Sequence, residues 1–145
     1  MTILSAKELR RALTDAGVEV FRVKDDEVHI AERQHLHLME AGIRLAVGEP
    51  MRVTVTARAQ QSDSPTLDPE LQFASVRAAI QPLFALGYVE TSANARELRS
   101  VSDDNRVVDV WYEIVMCLDC ATVETAVASV QTALATERYI VASRV

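Results

Sequence analysis

A chain of 145 residues holds enough material for one hydrophobic core, and its 49% apolar and 25% charged content is that of an ordinary globular protein rather than a disordered one. A formal charge of -6 with no basic run, and only 5% aromatic residues, excludes the electrostatic footprint and the stacking platforms of a nucleic-acid binder. No apolar run approaches the roughly 20 residues that span a bilayer, and two cysteines are too few for a disulfide scaffold.

The basic residues are arginine except for Lys7 and Lys24, which in the absence of a basic patch reads as GC-rich codon usage and an expected bacterial source. No charged-then-apolar leader opens the chain, so a cytosolic location is the expectation.

In chain order, Ser5-Ala6-Lys7-Glu8 has the form of a capping box, with Leu4 and Leu9 placed as a hydrophobic staple. Leu9, Leu13 and Ala16 make a narrow apolar stripe, and Gly17 supplies the left-handed stop. Two β-rich runs, residues 18–23 and 27–31, flank Lys24-Asp25-Asp26 and predict a hairpin. Residues 32–42 fit two templates: His35-Leu36-His37-Leu38 alternates as a strand does, while Leu36, Met39 and Gly42 suit a short helix, and the helix is the expectation.

Residues 43–47 and 51–59 straddle the turn-like Gly48-Glu49-Pro50. The second strand is clean: Met51, Val53, Val55, Ala57 and Ala59 lie on one face, Arg52, Thr54, Thr56 and Arg58 on the other. A polar loop over 60–67 leads to a helix with Asp68 as cap and Pro69 at its first position, predicted over 68–86 with a kink at Pro82. Residues 88–91 read as a strand, and 92–106 as a long polar excursion.

The strongest pattern is residues 107–118, where Val108, Val110, Tyr112, Ile114, Met116 and Leu118 alternate with a mixed set. A helix over 121–136 follows, with Val123, Val127, Val130 and Leu134 at helical spacing, and residues 138–143 read as a last strand.

The expectation is a single α+β domain over 1–145, an antiparallel sheet with helices on one face. Residues 51–145 form a strand-helix-strand-strand-helix-strand core, and 1–50 a helix and hairpin extension. From Met51 onward that order resembles the split βαβ arrangement of ferredoxin-like domains. A second parse groups the early strands as a meander, α-βββ-α-ββ-α, and resembles the secretion-chaperone type of α+β fold.

Chemistry has few places to sit. Cys117-Leu118-Asp119-Cys120 is a C-x-x-C at a strand end and a helix start, where a helix N-terminus makes Cys120 the more reactive thiol. Only 25 residues follow Cys120 and none is proline, so the cis-proline loop that dithiol oxidoreductases place beside such a site is missing. His35 and His37 with Cys117 and Cys120 are the one conceivable zinc set, at a spacing unlike the usual knuckles, and the expectation is no metal and no cofactor. His29, His35 and His37 are otherwise expected on the surface. The four glycines are scattered, with no phosphate loop or dinucleotide fingerprint, and Asp25-Asp26 and Asp103-Asp104 fall in turns.

The polar face of the sheet remains. If the strands at 51–59 and 107–118 are neighbours, Arg52, Thr54, Thr56 and Arg58 lie beside Asp109, Trp111 and Glu113, and two arginines against two acids predict cross-strand ion pairs. The lone Trp111 among charges is the kind of anchor that partner surfaces use. The expected function is a non-enzymatic binding or adaptor module, taking a protein partner or a second copy through this sheet face or an edge, with neither nucleic acid nor membrane as partner. A small-ligand sensor or enzyme using the same face, and a metal or dithiol protein, are the alternatives.

Overall fold

The computed structural model describes residues 5–102 and 104–141. Its elements are α1 Ala6–Asp15, β1 Val20–Lys24, β2 Glu27–Gln34, β3 His37–Ala46, β4 Met51–Gln60, α2 Pro69–Ala79, α3 Gln81–Ala85, β5 Val89–Arg99, β6 Val107–Cys120, α4 Val123–Ala135 and β7 Tyr139–Ile140. The fold is α+β: the strands form one seven-stranded sheet in the order β1-β2-β3-β4-β6-β5, with β7 joined to β4. No helix among the described residues is long and apolar enough to cross a membrane.

The chain forms two compact units, one from the described residues up to Val55 with Cys117–Thr136, the other from Thr56–Met116 with the described residues from Glu137 on. In the first unit β1, β2, β3 and the start of β4 are an antiparallel meander. Val28, Leu45 and Val53 stand in register across it and are fully buried. Leu9 and Leu13 of α1 and Ala126, Val130 and Ala133 of α4 are buried with them. In the second unit Ala57, Ala59, Ile114 and Met116 are buried together with Val76, Ile80 and Leu83 of the α2–α3 segment, and the Phe73 ring meets Tyr112 edge-on at 5.3 Å.

Local signals explain most boundaries. The Ser5 hydroxyl accepts from the Glu8 N–H at 3.2 Å, and itself donates to the Glu8 carboxylate, so the cap closes through side chains. Leu4, the expected staple, lies outside the described residues. At the other end of α1, Gly17 adopts φ +82 and Val18 N–H returns to the Leu13 carbonyl at 2.9 Å, a left-handed stop that a side chain would strain although nothing crowds it.

Four expectations are corrected. Residues 32–42 are not a helix: β2 runs to Gln34 and β3 starts at His37, with His35 at φ +57 carrying the turn. Histidine is tolerated in that region more than most residues, but it is not the glycine or asparagine that announces a tight hairpin. Residues 92–106 are not one long excursion, because β5 continues to Arg99 as the sheet's last strand. The helix over 68–86 is two, α2 and α3, divided at Ile80 two residues before Pro82, whose missing N–H ends the ladder. In α4 the side turned inward carries Ala126, Ser129, Val130 and Ala133, so that Val127 and Leu134 are only half-buried.

The pairings do not show a ferredoxin-like order. That order is antiparallel throughout, and Arg52 meeting Asp119 with Thr54 meeting Cys117 sets β4 and β6 antiparallel in keeping with it, so the departure lies in the last strand. The last strand, described as Tyr139–Ile140, pairs parallel with Arg58 and Ala59.

Two substitutions test this packing. Ile114→Ala removes a fully buried side chain from β6 and is expected to cost about 2–5 kcal/mol in chemical denaturation, while a neutral result would place the core on the other face. Ser5→Ala is expected to cost about 1 kcal/mol, and an unchanged melting temperature would mean that the cap contributes nothing.

Candidate functional site

Strand alternation creates the candidate site. Each odd residue of β4 from Met51 to Ala59 is buried, which turns Arg52, Thr54, Thr56 and Arg58 to the opposite face. In β6 the even positions Tyr112, Ile114 and Met116 are buried, leaving Asp109, Trp111, Glu113 and Cys117 on the other side.

In the first unit, Arg52 Nε donates to Asp119 Oδ1 at 3.0 Å, and both side chains are more than half exposed, so the pair contributes little to stability. The hydrogen bond and charge of Asp119 raise the Arg52 guanidinium pKa further above its ordinary value. Thr54 Oγ1 lies 3.5 Å from Cys117 Sγ on that face. Cys120 Sγ points the other way, toward Ser129 Oγ of α4 at 3.8 Å. The two thiols of the C-x-x-C therefore stand on opposite faces of β6 and are not poised for a disulfide. Cys120 is also not the activated thiol the sequence suggested: burial pushes it up, outweighing the hydrogen bond to Ser129. His35 sits in the β2–β3 turn and His37 opens β3, both exposed. Among the described residues no group of three or more His, Cys, Asp or Glu is arranged to hold a metal.

In the second unit, the Arg58 guanidinium lies over the Trp111 ring at 3.6 Å and within 5.3 Å of the Tyr139 ring. Arg96 approaches Trp111 at 5.7 Å and reaches Glu113 at 3.9 Å. Trp111 is half-buried, and its indole Nε1 is shut from solvent with no hydrogen-bond partner. Asp109 accepts from the Ser62 N–H at 3.0 Å and the Ser62 hydroxyl at 2.7 Å, and from the Val110 N–H at 2.8 Å. Burial pushes its pKa up, but these three donors together hold the carboxyl below its ordinary value. The Tyr139 hydroxyl donates to Asp63 Oδ2 at 2.7 Å, and burial with that bond raises its pKa to about 12.

The expected ion pairs between Arg52 and Arg58 and Asp109 and Glu113 are thus not the ones formed. Arg52 takes Asp119, Glu113 takes Arg96, Asp109 binds the turn after β4, and Arg58 keeps the aromatic rings. Tyr139, Ser62 and Arg96 were missed by sequence reasoning. Tyr139 was legible, because buried Ile140 beside it forces the preceding side chain outward; Arg96 was hidden in a stretch with no apolar alternation.

No protein-family model, no curated protein and no solved structure matches this chain.

The Asp109 bonds carry a pH prediction. A carboxylate whose folded pKa is lowered stabilises the fold fully above its unfolded value, and that stability is lost as pH falls through the folded value. Asp109→Asn is therefore expected to cost about 1 kcal/mol at neutral pH and to flatten the acid limb below about pH 4, read from denaturation midpoints. An unchanged acid limb would show that the Ser62 bonds do not persist in solution.

Proposed function

We propose that this protein is a non-catalytic binding or adaptor module that engages a protein partner, or a second copy of itself, through the helix-free face of β4 and β6. One observation carries the reading. Arg58 lies over the Trp111 ring and beside Tyr139, yet no carboxylate lies within ion-pair distance of it among the described residues. A guanidinium fixed by stacking keeps its N–H fork free at the rim, and that fork matches a carboxylate in two-point geometry. Arginine beside tryptophan and tyrosine is also the composition enriched where partner surfaces concentrate their energy.

The chemistry of the occupant follows as an acidic segment. A second copy qualifies, since the chain carries 21 acidic residues and a net charge of -6. What favours binding over catalysis is the settled state of the neighbouring polar groups: Asp109, Glu113 and Asp63 each already hold a partner. The element order from β4 onward fits both parses, and what supports the chaperone-type one is the parallel pairing of the last strand, which that parse leaves as a tail. Order alone carries no function.

Trp111 is the only tryptophan and therefore a clean reporter. Its fluorescence is expected to be quenched by iodide in dilute protein and protected as protein concentration or a partner rises, and Arg58→Ala is expected to red-shift emission by uncovering the ring. Emission that stays blue and unquenchable at every dilution would mean that the face is closed by the chain itself, and the adaptor reading would fall.

A further inference from the structure

Most arginines of the sheet and of α2 donate hydrogen bonds to a fixed side chain. Arg33 donates to Glu19, Arg44 to Glu40, Arg52 to Asp119 and Arg77 to both oxygens of Glu90. Arg22 donates to His29, which at 2% exposure is buried, a correction to the expectation that all three histidines lie on the surface. Arg58 and Arg96 differ. Neither guanidinium makes a hydrogen bond among the described residues, and both are placed by one indole, with Arg58 Cζ 3.6 Å and Arg96 Cζ 5.7 Å from the centre of the Trp111 ring. Two carbons tied to one point at those distances lie at most about 9 Å apart.

The acids around them are unequally engaged. Asp109 accepts from Ser62, and Asp63 from the Tyr139 hydroxyl, both at hydrogen-bond distance. Counting back along β4 and β6 from the Ser62 and Asp109 pair sets Arg58 opposite Glu113. Glu113 nonetheless lies beyond ion-pair distance of Arg58 and stands 3.9 Å from Arg96 Nη1, too far for a hydrogen bond. Its side chain is 23% exposed and that of Arg96 63%, so the guanidinium is the member of this loose pair that solvent and a partner can reach.

We propose that Arg58 and Arg96 together receive one carboxylate of an acidic partner segment, and that Glu113 is the internal competitor for that place. This deepens the binding reading given above and rests on it. A carboxylate has an oxygen for each guanidinium fork, and with N–H···O bonds of about 2.8 Å at both ends it spans guanidinium carbons at the separation found here. Arg58 offers its donors where no acid competes, and the same carboxylate draws Arg96 away from Glu113. Charge selects the class of ligand. Glu113 offsets one of the two positive charges, and Asp109 and Asp63 add negative charge beside Tyr139, so a single carboxylate meets a matched site while a doubly charged phosphoryl group meets like charge.

The test titrates a blocked hexaglutamate peptide into the whole protein at neutral pH and low salt, reading Trp111 emission and the ¹⁵N signals of Arg58 and Arg96 Nε–H. Both arginine signals and the emission are expected to move together, with no response to hexaglutamine and no tighter binding of a hexa-phosphoserine peptide. Arg96→Gln is expected to weaken binding about tenfold, and Arg58→Lys, which keeps the charge and loses the fork, to do the same. Glu113→Gln is expected to tighten it about fivefold, an effect that a damaged fold cannot imitate, and the gain is expected to vanish in the Arg96→Gln background. The inference is overturned if Glu113→Gln weakens binding or leaves it unchanged, if the phosphoserine peptide binds more tightly, or if hexaglutamate moves neither guanidinium. In that last case, Trp111 still protected from iodide at high protein concentration would leave the face a binding surface that does not read a carboxylate. Trp111 unprotected as well would remove the binding reading along with its competitor.

Discussion

The unbroken alternation of β4 is the constraint on which the rest depends. Five odd positions from Met51 to Ala59 are buried, and the small Ala57 and Ala59 follow the larger Val53 and Val55. A strand that buries one face completely admits a single register, since a slip of one residue would bring Arg52, Thr54, Thr56 and Arg58 into the core. That registration decides which side chains the neighbouring strands offer. It sets Arg44 opposite Thr54 on one side, and brings Asp119 to Arg52 and Cys117 to Thr54 on the other.

The parts of the fold legible in the sequence are those whose signal is burial or capping. β4 and β6 announce themselves by alternation, α1 by Ser5 and Gly17, and α2 by Asp68, whose carboxylate accepts from the Leu71 N–H at 2.9 Å. The parts that were not legible are held by pairing rather than by burial. β5 is an edge strand whose residues are half-exposed or fully exposed along its length, so it has no apolar period to read. The β2–β3 hairpin turns on His35 without glycine or asparagine, and Leu36 at its tip is almost fully exposed, so the apolar residues that suggested a helix are not core residues at all. In α4 the valines drew attention, but of those at the expected spacing only Val130 is buried, and the rest of the buried side is Ala126, Ser129 and Ala133, small residues that a hydrophobic period does not single out.

The candidate site was legible as a set of residues and not as a set of partners. Which residues share a face follows from parity, and parity placed Arg58, Trp111 and Glu113 correctly on the side away from the core. Which of them touch depends on register and on elements that the sequence left undefined. Arg96 came from a stretch without strand signals, and Ser62 from the turn after β4, yet these two take the acids that had been matched with Arg52 and Arg58. Arg58 was thereby left to the rings.

Three buried side-chain atoms lack a hydrogen-bond partner among the described residues, His29 Nε2, Gln72 Oε1 and Trp111 Nε1, and they are not equivalent. Leaving such a group unpaired costs about 1–3 kcal/mol, so something else must fix each side chain. Gln72 is anchored by its amide N–H, which donates to the Ser64 carbonyl at 3.0 Å, and His29 by the bond that its other nitrogen accepts from Arg22. Trp111 has no second polar atom. What orients its indole is contact on the ring itself, chiefly the Arg58 guanidinium at 3.6 Å, an attraction of cation for ring face that leaves the N–H out of account. The guanidinium over the indole is the same group left without a carboxylate among the described residues, so the two unmatched features of this face stabilise each other.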